Sequence, residues 1–317
     1  MRDKPKVLKM LKLLPWLEER LAVAYEVVNL PSQAAQRADF LGRHGAEFSA
    51  MVTSAAYGID NATMDQLTQL KVISSLGVGL DKIDVSHAKT KGIAVGYTPD
   101  VLNDCVADLA FALLLGIGRR VSEGDRFVRE GHWSSGAVGP FSLGFQVSKA
   151  KLGIVGLGRI GATIAKRSTG FDMAVRYHSR NAVASEPWTY EPSLMDLAKW
   201  ADFLVVITSG GAGTHHLINR EVLAALGEKG YLINVSRGTV VDEVALIDAL
   251  QHKRIAGAAL DVFENEPFVP KALYALDNVL MVPHIASATV QTRQAMGQRV
   301  LDNLAAFFKQ QPLVSAA

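Results

Sequence analysis

The sequence predicts an α/β protein built from two doubly wound parallel-sheet domains, and three observations carry that prediction. At 317 residues the chain exceeds what one hydrophobic core usually serves, so two domains are expected. Short apolar runs alternate with amphipathic helical stretches, as repeated β-α-β units require. Within one such unit, KLGIVGLGRIGATIAKRSTGFDMAVRYHSR at 151–180, a strand leads through a glycine turn into a helix and a second strand.

In chain order, strands are expected at 6–10, 25–30, 50–54, 72–75 and 93–96. Helical stretches fall between them at 15–23, 32–43, 64–70 and 85–91. Leu76-Gly77-Val78-Gly79-Leu80-Asp81 follows the fourth strand. Such a loop can turn backbone N–H groups toward an anion or serve as an ordinary turn, and its sequence alone does not decide. A long apolar helix at 101–119 crosses into the second domain. Residues 121–145, with Arg126, Arg129, Trp133 and Phe141, are expected to form an arm packed on the other domain or on another subunit. Strands of the second sheet are expected at 152–155, 173–177, 203–207, 231–235, 256–260 and 279–282, with helices near 194–199, 220–225 and 243–251. The amphipathic stretch 289–309 has no strand after it and is expected to return to the first domain.

Composition narrows the functional classes. Apolar residues make up 49% and charged residues 20%, ordinary values for a globular α/β protein. A net charge of +2 with interspersed signs offers no basic stripe, so no nucleic-acid partner is expected. The apolar run from Leu109 to Ile117 is closed by Arg119 and Arg120, too short to span a membrane. Lys9 and Lys12 interrupt the N-terminal apolar residues before a signal-peptide core forms, and a cytoplasmic location is expected. Cys105 is the single cysteine, which excludes an internal disulfide and a cysteine metal cluster. No metal site is assigned.

The glycine turn, Gly156-Leu157-Gly158-Arg159-Ile160-Gly161, has the Rossmann-like dinucleotide pattern. Its first glycine permits the tight turn, its second lets a pyrophosphate approach the backbone, and its third lets helix and strand pack closely. The helix start adds free N–H groups and a positive dipole end. An NAD site places an acid at the end of the next strand, for the ribose 2'-hydroxyl. Here His178-Ser179-Arg180 stands there, and the nearest acid, Asp172, lies at the wrong end of the strand. A hydroxyl and a guanidinium suit a 2'-phosphate, so NADP is expected over NAD, with Ser179, Arg180 and Asn181 as its contacts.

Polar residues also follow three strands of the second sheet: Asn234-Val-Ser-Arg237-Gly238, Asp261-Val-Phe-Glu264-Asn-Glu266-Pro267 and Pro283-His284-Ile-Ala286-Ser287. Carbonyl reduction needs a cation for the substrate, a proton donor and a group that orients the donor. Arg237, His284 and Glu266 can form that set. Taken singly, each has a blander explanation as a surface charge, a core histidine or a loop carboxylate.

With LGIVGLGRIG, INVSRG, ALDVFENEP and PHIAS in this order, and with SSLGVGLDKID and TPDVLNDCVADLA before them, the chain resembles the D-isomer-specific 2-hydroxyacid dehydrogenases over nearly its whole length. The HSR segment is most similar to the NADPH-preferring glyoxylate, hydroxypyruvate and hydroxyphenylpyruvate reductases. A departure is Asn103-Asp104-Cys105, where relatives often carry threonine, which leaves the cofactor contact there open. The resemblance implies two Rossmann-like or flavodoxin-like domains with a cleft between them: a substrate-binding domain of 1–99 plus 286–317 and a dinucleotide-binding domain of 100–285. It implies that His284 is the general acid and base with Glu266 bonded to it, and that Arg237 binds the 2-oxo acid. Val78 and Gly79 supply N–H groups to the substrate carboxylate, while Val235, Ser236 and Asp261 lie on the nicotinamide side. The implied reaction is reduction of a small 2-oxo acid to a D-2-hydroxy acid by NADPH, with a homodimer formed through 118–145. An NAD-linked dehydrogenase of phosphoglycerate or lactate type and a non-enzymatic, corepressor-like nucleotide sensor are the alternatives.

Overall fold

Strands β1 (Lys6–Lys9), β2 (Glu26–Asn29), β3 (Ala50–Ser54), β4 (Val72–Leu76) and β5 (Ala94–Gly96) form a five-stranded sheet in the order β2-β1-β3-β4-β5. Every pairing in it is parallel, in a computed structural model that describes residues 4–133, 141–184 and 187–317. Side chains alternate between its two faces. Leu8, Met51 and Ile73 pack on one face in a core that includes Leu41, Met64 and Ala88, whereas Val7, Val52 and Val72 pack on the other with Leu17 and Leu21. The four helices between the strands, α1 (Pro15–Ala24), α2 (Ala34–His44), α3 (Asn61–Gln66) and α4 (Val85–Thr90), supply those partners.

The position of α3 differs from the expected 64–70 because a cap sets its start. Asp60 Oδ1 accepts the Thr63 N–H at 2.7 Å, and Oδ2 accepts the Thr63 hydroxyl at 3.1 Å. Such a cap satisfies donors that the helix cannot, so the first turn begins at Asn61. Leu67 and Leu70 remain buried, but as residues of the following loop.

The second unit opens with α5 (Asn103–Gly118) and α6 (Val121–Arg129). Its sheet comprises β6 (Lys151–Val155), β7 (Ala174–His178), β8 (Thr189–Tyr190), β9 (Phe203–Val206), β10 (Tyr231–Asn234), β11 (Gly257–Leu260) and β12 (Val279–Met281). The order is β12-β11-β10-β9-β6-β7-β8, again all parallel. Helices α7 (Arg159–Ser168), α8 (Leu194–Trp200), α9 (Arg220–Leu226) and α10 (Glu243–Gln251) connect the strands. Helix α5 carries apolar residues on most of its circumference and packs against α7, β10, β11 and β12, as expected for a buried helix. Strand β8 has two residues, too short for any hydrophobic period to show. Residues 134–140 of the expected arm lie outside the described residues.

Between β6 and β9 the winding direction reverses, since β7 lies on one side of β6 and β9 on the other. In open parallel sheets, ligands bind outside the carboxyl ends of the strands at that reversal. Finally, α11 (Val290–Phe308) returns to the first sheet and packs on β4, with Val300 and Leu304 fully buried. Each such side chain contributes about 1.5–3 kcal/mol of apolar transfer free energy. The two units divide after Leu102 and after Ala288, where the sequence placed the divisions at 99 and 285.

If the Asp60 cap sets the start of α3, Asp60→Ala should lower stability by about 1 kcal/mol in urea unfolding, without changing the denaturant slope. An unchanged midpoint would show that the α3 boundary is set by packing alone.

Candidate active site

The glycine turn joins β6 to α7. Gly156 has φ +103, a conformation suited to glycine, and its N–H donates to the His178 carbonyl at 2.8 Å. A Cβ on Gly161 would come within 2.1 Å of the Gly156 carbonyl oxygen, so the third glycine is a packing requirement. Gly158 is different. It is exposed, and a Cβ there would meet no protein atom within 4 Å. Gly158 is also the N-cap of α7 and offers no side-chain acceptor to the helix start. Open space over an uncapped helix N-terminus fits a dinucleotide pyrophosphate. Leu157 is buried at 6% exposure, while Arg159 is exposed and Ile160 intermediate.

At the end of β7 the chain is anchored from behind. His178 Nδ1 donates to the Glu191 carbonyl at 3.0 Å, and the Tyr190 hydroxyl donates to the Ser179 carbonyl at 3.2 Å. Ser179 Oγ donates to the Asn181 carbonyl at 2.6 Å, which closes the turn. Arg180 and Asn181 are exposed on it, and among the described residues the Arg180 guanidinium has no ion-pair partner.

The ends of β10, β11 and β12 carry the residues that the sequence singled out. Asn234, 1% exposed, uses its side chain as a bracket: Oδ1 accepts the Ser236 N–H at 3.1 Å and the Ser236 hydroxyl at 2.7 Å, while Nδ2 donates to the Arg237 carbonyl at 3.1 Å. Val235 and Ser236 are buried at 5% and 4% exposure. The next residue, Gly238, lies directly on the backbone of the β11 loop, since a Cβ there would fall 1.8 Å from the Phe263 carbonyl carbon. Arg237 is thereby held beside the segment that bears Glu266.

Asp261 has no solvent exposure. Its carboxylate accepts the N–H groups of Ile285 at 2.6 Å and Ala286 at 3.0 Å, and its carbonyl accepts the His284 N–H at 2.8 Å. Three successive backbone donors are fixed by one residue. They hold His284 at φ +52, in the left-handed region that side-chain-bearing residues rarely occupy. From that backbone, His284 Nδ1 reaches Glu266 Oε2 at 2.7 Å. An ionised carboxylate can only accept, so Nδ1 carries the hydrogen of this bond. Glu266 Oε1 accepts the Phe263 N–H at 3.1 Å, which fixes the carboxylate in turn.

Electrostatics separate these two acids. Burial pushes the Asp261 carboxyl up, and the Ile285 and Ala286 N–H groups offset this only in part. Burial also acts upward on Glu266. Its bond to His284, the charge of His284, the Phe263 N–H and the charge of Arg237 together outweigh that and hold it below the ordinary carboxylate value.

In the first unit, Thr98 brackets Gly77: its N–H donates to the Gly77 carbonyl at 2.9 Å, and its hydroxyl accepts the Gly77 N–H at 3.0 Å. Gly77 has φ +137, and a Cβ there would come within 2.6 Å of the Ala55 Cβ. Among the described residues, the N–H groups of the next two residues, Val78 and Gly79, have no acceptor. That is the loop whose use the sequence alone left open.

Glu266 and His284 are therefore in direct contact, with Arg237 near enough to act on Glu266 through its charge. Asn234 carries no assigned role in the sequence, and neither does the bond from His216 Nε2 to Glu264 Oε1 at 2.9 Å. The only sequence signal for Asn234 was a buried-strand run ending in a polar residue two positions before a serine.

A phosphate-ready glycine turn and an Arg-Glu-His set along one carboxyl edge are the parts of a dinucleotide-dependent oxidoreductase. Residues 111–286 match the family described as D-isomer specific 2-hydroxyacid dehydrogenase, NAD binding domain. The chain is 43% identical over 309 residues to hydroxyphenylpyruvate reductase of Plectranthus scutellarioides, which covers 98% of this chain and 97% of that one. It is 41% identical over 315 residues to 2-ketogluconate reductase of Gluconobacter oxydans (strain 621H), covering 99% of each. Among solved structures it matches NADPH-dependent glyoxylate/hydroxypyruvate reductase of Sinorhizobium meliloti in complex with NADP and malonate, with a TM-score of 0.92 and 41% identity over 99% of this chain and 97% of that one. The chain belongs to the D-isomer-specific 2-hydroxyacid dehydrogenase family.

The depressed Glu266 carboxyl sets a pH dependence. A folded-state value below the unfolded one means that the stabilisation from Glu266 is complete above the ordinary 4.5 and is lost as pH falls through the depressed value. The stability difference between the wild type and Glu266→Gln should be flat above that range and shrink below it. A difference that grows on acidification would contradict the assignment of His284 as the partner that favours the ionised form.

Proposed function

We propose that the protein is an NADPH-dependent reductase of small 2-oxo acids of the glyoxylate and hydroxypyruvate type, yielding D-2-hydroxy acids. The observation that carries this reading is the Glu266–His284 pair at 2.7 Å, at the strand edge that also bears the glycine turn. The cofactor, when bound, supplies the hydride that carbonyl reduction requires at C2. The remaining chemistry belongs to the chain. With Nδ1 committed to Glu266, Nε2 of His284 is the atom left to deliver a proton to the carbonyl oxygen. Glu266 orients the ring. Arg237 holds the substrate carboxylate and polarises the carbonyl, and a guanidinium suits that planar anion better than an ammonium would. Val78 and Gly79 add backbone N–H donors to the same carboxylate.

For the cofactor, Gly156 to Gly161 take the pyrophosphate at the start of α7, and Val235, Ser236 and Asp261 frame the nicotinamide side. Ser179, Arg180 and Asn181 take the 2'-phosphate. The exposed Arg180 guanidinium, which has no ion-pair partner among the described residues, supports NADPH over NADH, and NADP in the Sinorhizobium meliloti relative agrees with that preference. NAD remains a second, weaker cofactor. The protein acts in the cytoplasm, with neither nucleic acid nor membrane as a partner. It works as a homodimer through the arm around α6, where Val121, Val128, Trp133 and Leu143 are exposed. Exposed large apolar residues gathered in one segment suit a subunit contact.

Two substitutions test the assignment. Arg180→Ala should raise the KM for NADPH by about 10- to 100-fold, the worth of a charge-assisted contact, with NADH kinetics unchanged. An equal loss with both cofactors would remove Arg180 from the phosphate site. His284→Ala should lower kcat by about 10²- to 10⁴-fold while NADPH binding is retained. A largely active variant would remove His284 as the proton donor.

A further inference from the structure

We propose that His215, His216 and Glu264 form a binding site for a transition-metal cation of the Zn²⁺ type. Among the described residues, these three side chains are a group whose ligand atoms all lie within 4.8 Å of one another. Zn²⁺ bonds of about 2.0–2.2 Å in tetrahedral geometry place donor atoms about 3.3–3.6 Å apart. His216 Nε2 and Glu264 Oε1, at 2.9 Å, need only a small separation to admit the ion. His215 is exposed, so its ring can close the remaining gap without disturbing packing.

The backbone presents both histidines to one place. His216 has φ +49, a left-handed conformation that is costly for a side-chain-bearing residue and persists only where its surroundings impose it. Those surroundings are explicit. The His216 N–H donates to the Thr239 carbonyl at 2.9 Å, Ile218 bridges to Val241, and Thr214 Oγ1 closes the preceding turn on the Ser209 carbonyl at 2.7 Å. The result is a pair of adjacent imidazoles with ring centroids 3.9 Å apart, beside a carboxylate. Glu264 is fixed as well, by donation of its N–H to Glu243 Oε2 at 3.3 Å.

Donor chemistry selects the ion. Two imidazole nitrogens and one carboxylate suit Zn²⁺, Cu²⁺ or Ni²⁺, whereas Mg²⁺ and Ca²⁺ favour oxygen ligands. Three protein ligands leave the fourth position to water, so the ion is exchangeable. The site does not rest on the reductase assignment.

The test is competition for Zn²⁺ between the full-length protein, stripped with a chelator, and a chromogenic zinc indicator at neutral pH. Wild type should take up Zn²⁺ at a single site per chain, and excess Mg²⁺ should not displace it. His215→Ala, which removes an exposed ring, and Glu264→Gln should each weaken that uptake by at least about tenfold, while His252→Ala, at an exposed histidine that caps the end of α10 outside this group, leaves it unchanged. Equal Zn²⁺ affinity in wild type and both ligand variants would overturn the proposal, as would the absence of uptake by folded wild type. Binding is read directly, so either outcome leaves the reductase assay to be judged separately.

Discussion

A carboxylate without access to solvent holds the carboxyl edge of the second sheet together. Asp261 leaves the end of β11 and receives three consecutive N–H groups from 284–286, one on its carbonyl and two on its side chain. No ladder can supply those acceptors, because β12 stops at Met281. The arrangement carries a cost, since burial opposes the ionised form of Asp261, and the N–H bonds offset only part of it. What it provides is position. His284 is kept in a backbone conformation that it would not hold alone, and its ring meets a Glu266 carboxylate already anchored by the Phe263 N–H.

The same logic recurs along that edge of the second sheet. Where a strand runs out, a buried polar side chain takes over the backbone hydrogen bonds: Asn234 as the last residue of β10 and Asp261 just after β11. The residues that follow, the half-buried Arg237 and the exposed His284, are thereby fixed without being buried themselves. At the sheet's reversal point, glycine replaces side chains altogether. Gly156 and Gly161 bring backbone against backbone, and Gly158 keeps open the space above the start of α7. Rigid scaffold and open space thus lie on one edge, as preorganised carbonyl chemistry requires.

Much of this was legible in the sequence, for identifiable reasons. Strands buried on both faces leave continuous apolar runs, so β3 and β9 could be placed within a residue or so. The glycine turn and the acids and bases after β10, β11 and β12 were legible because each sits at a change from apolar to polar residues. Helix α3 slipped because Asp60 sets its start, whereas the apolar pattern marked residues that pack from the loop behind it. Strand β8 was too short to leave a period. The contact of His216 with Glu264 joins residues 48 positions apart, and nothing local in either segment announces it. The use of Val78 and Gly79 stayed undecided for a related reason: backbone N–H groups carry no side-chain signature, and the resemblance to known dehydrogenases gave them a role.

The most direct measurement is initial-rate consumption of NADPH, and separately NADH, with glyoxylate and with hydroxypyruvate, followed by the handedness of the hydroxypyruvate product. Turnover that favours NADPH and yields D-glycerate is the predicted result. Folded protein that binds NADPH yet turns over neither substrate with either cofactor would contradict the assignment, as would an L product or a clear preference for NADH.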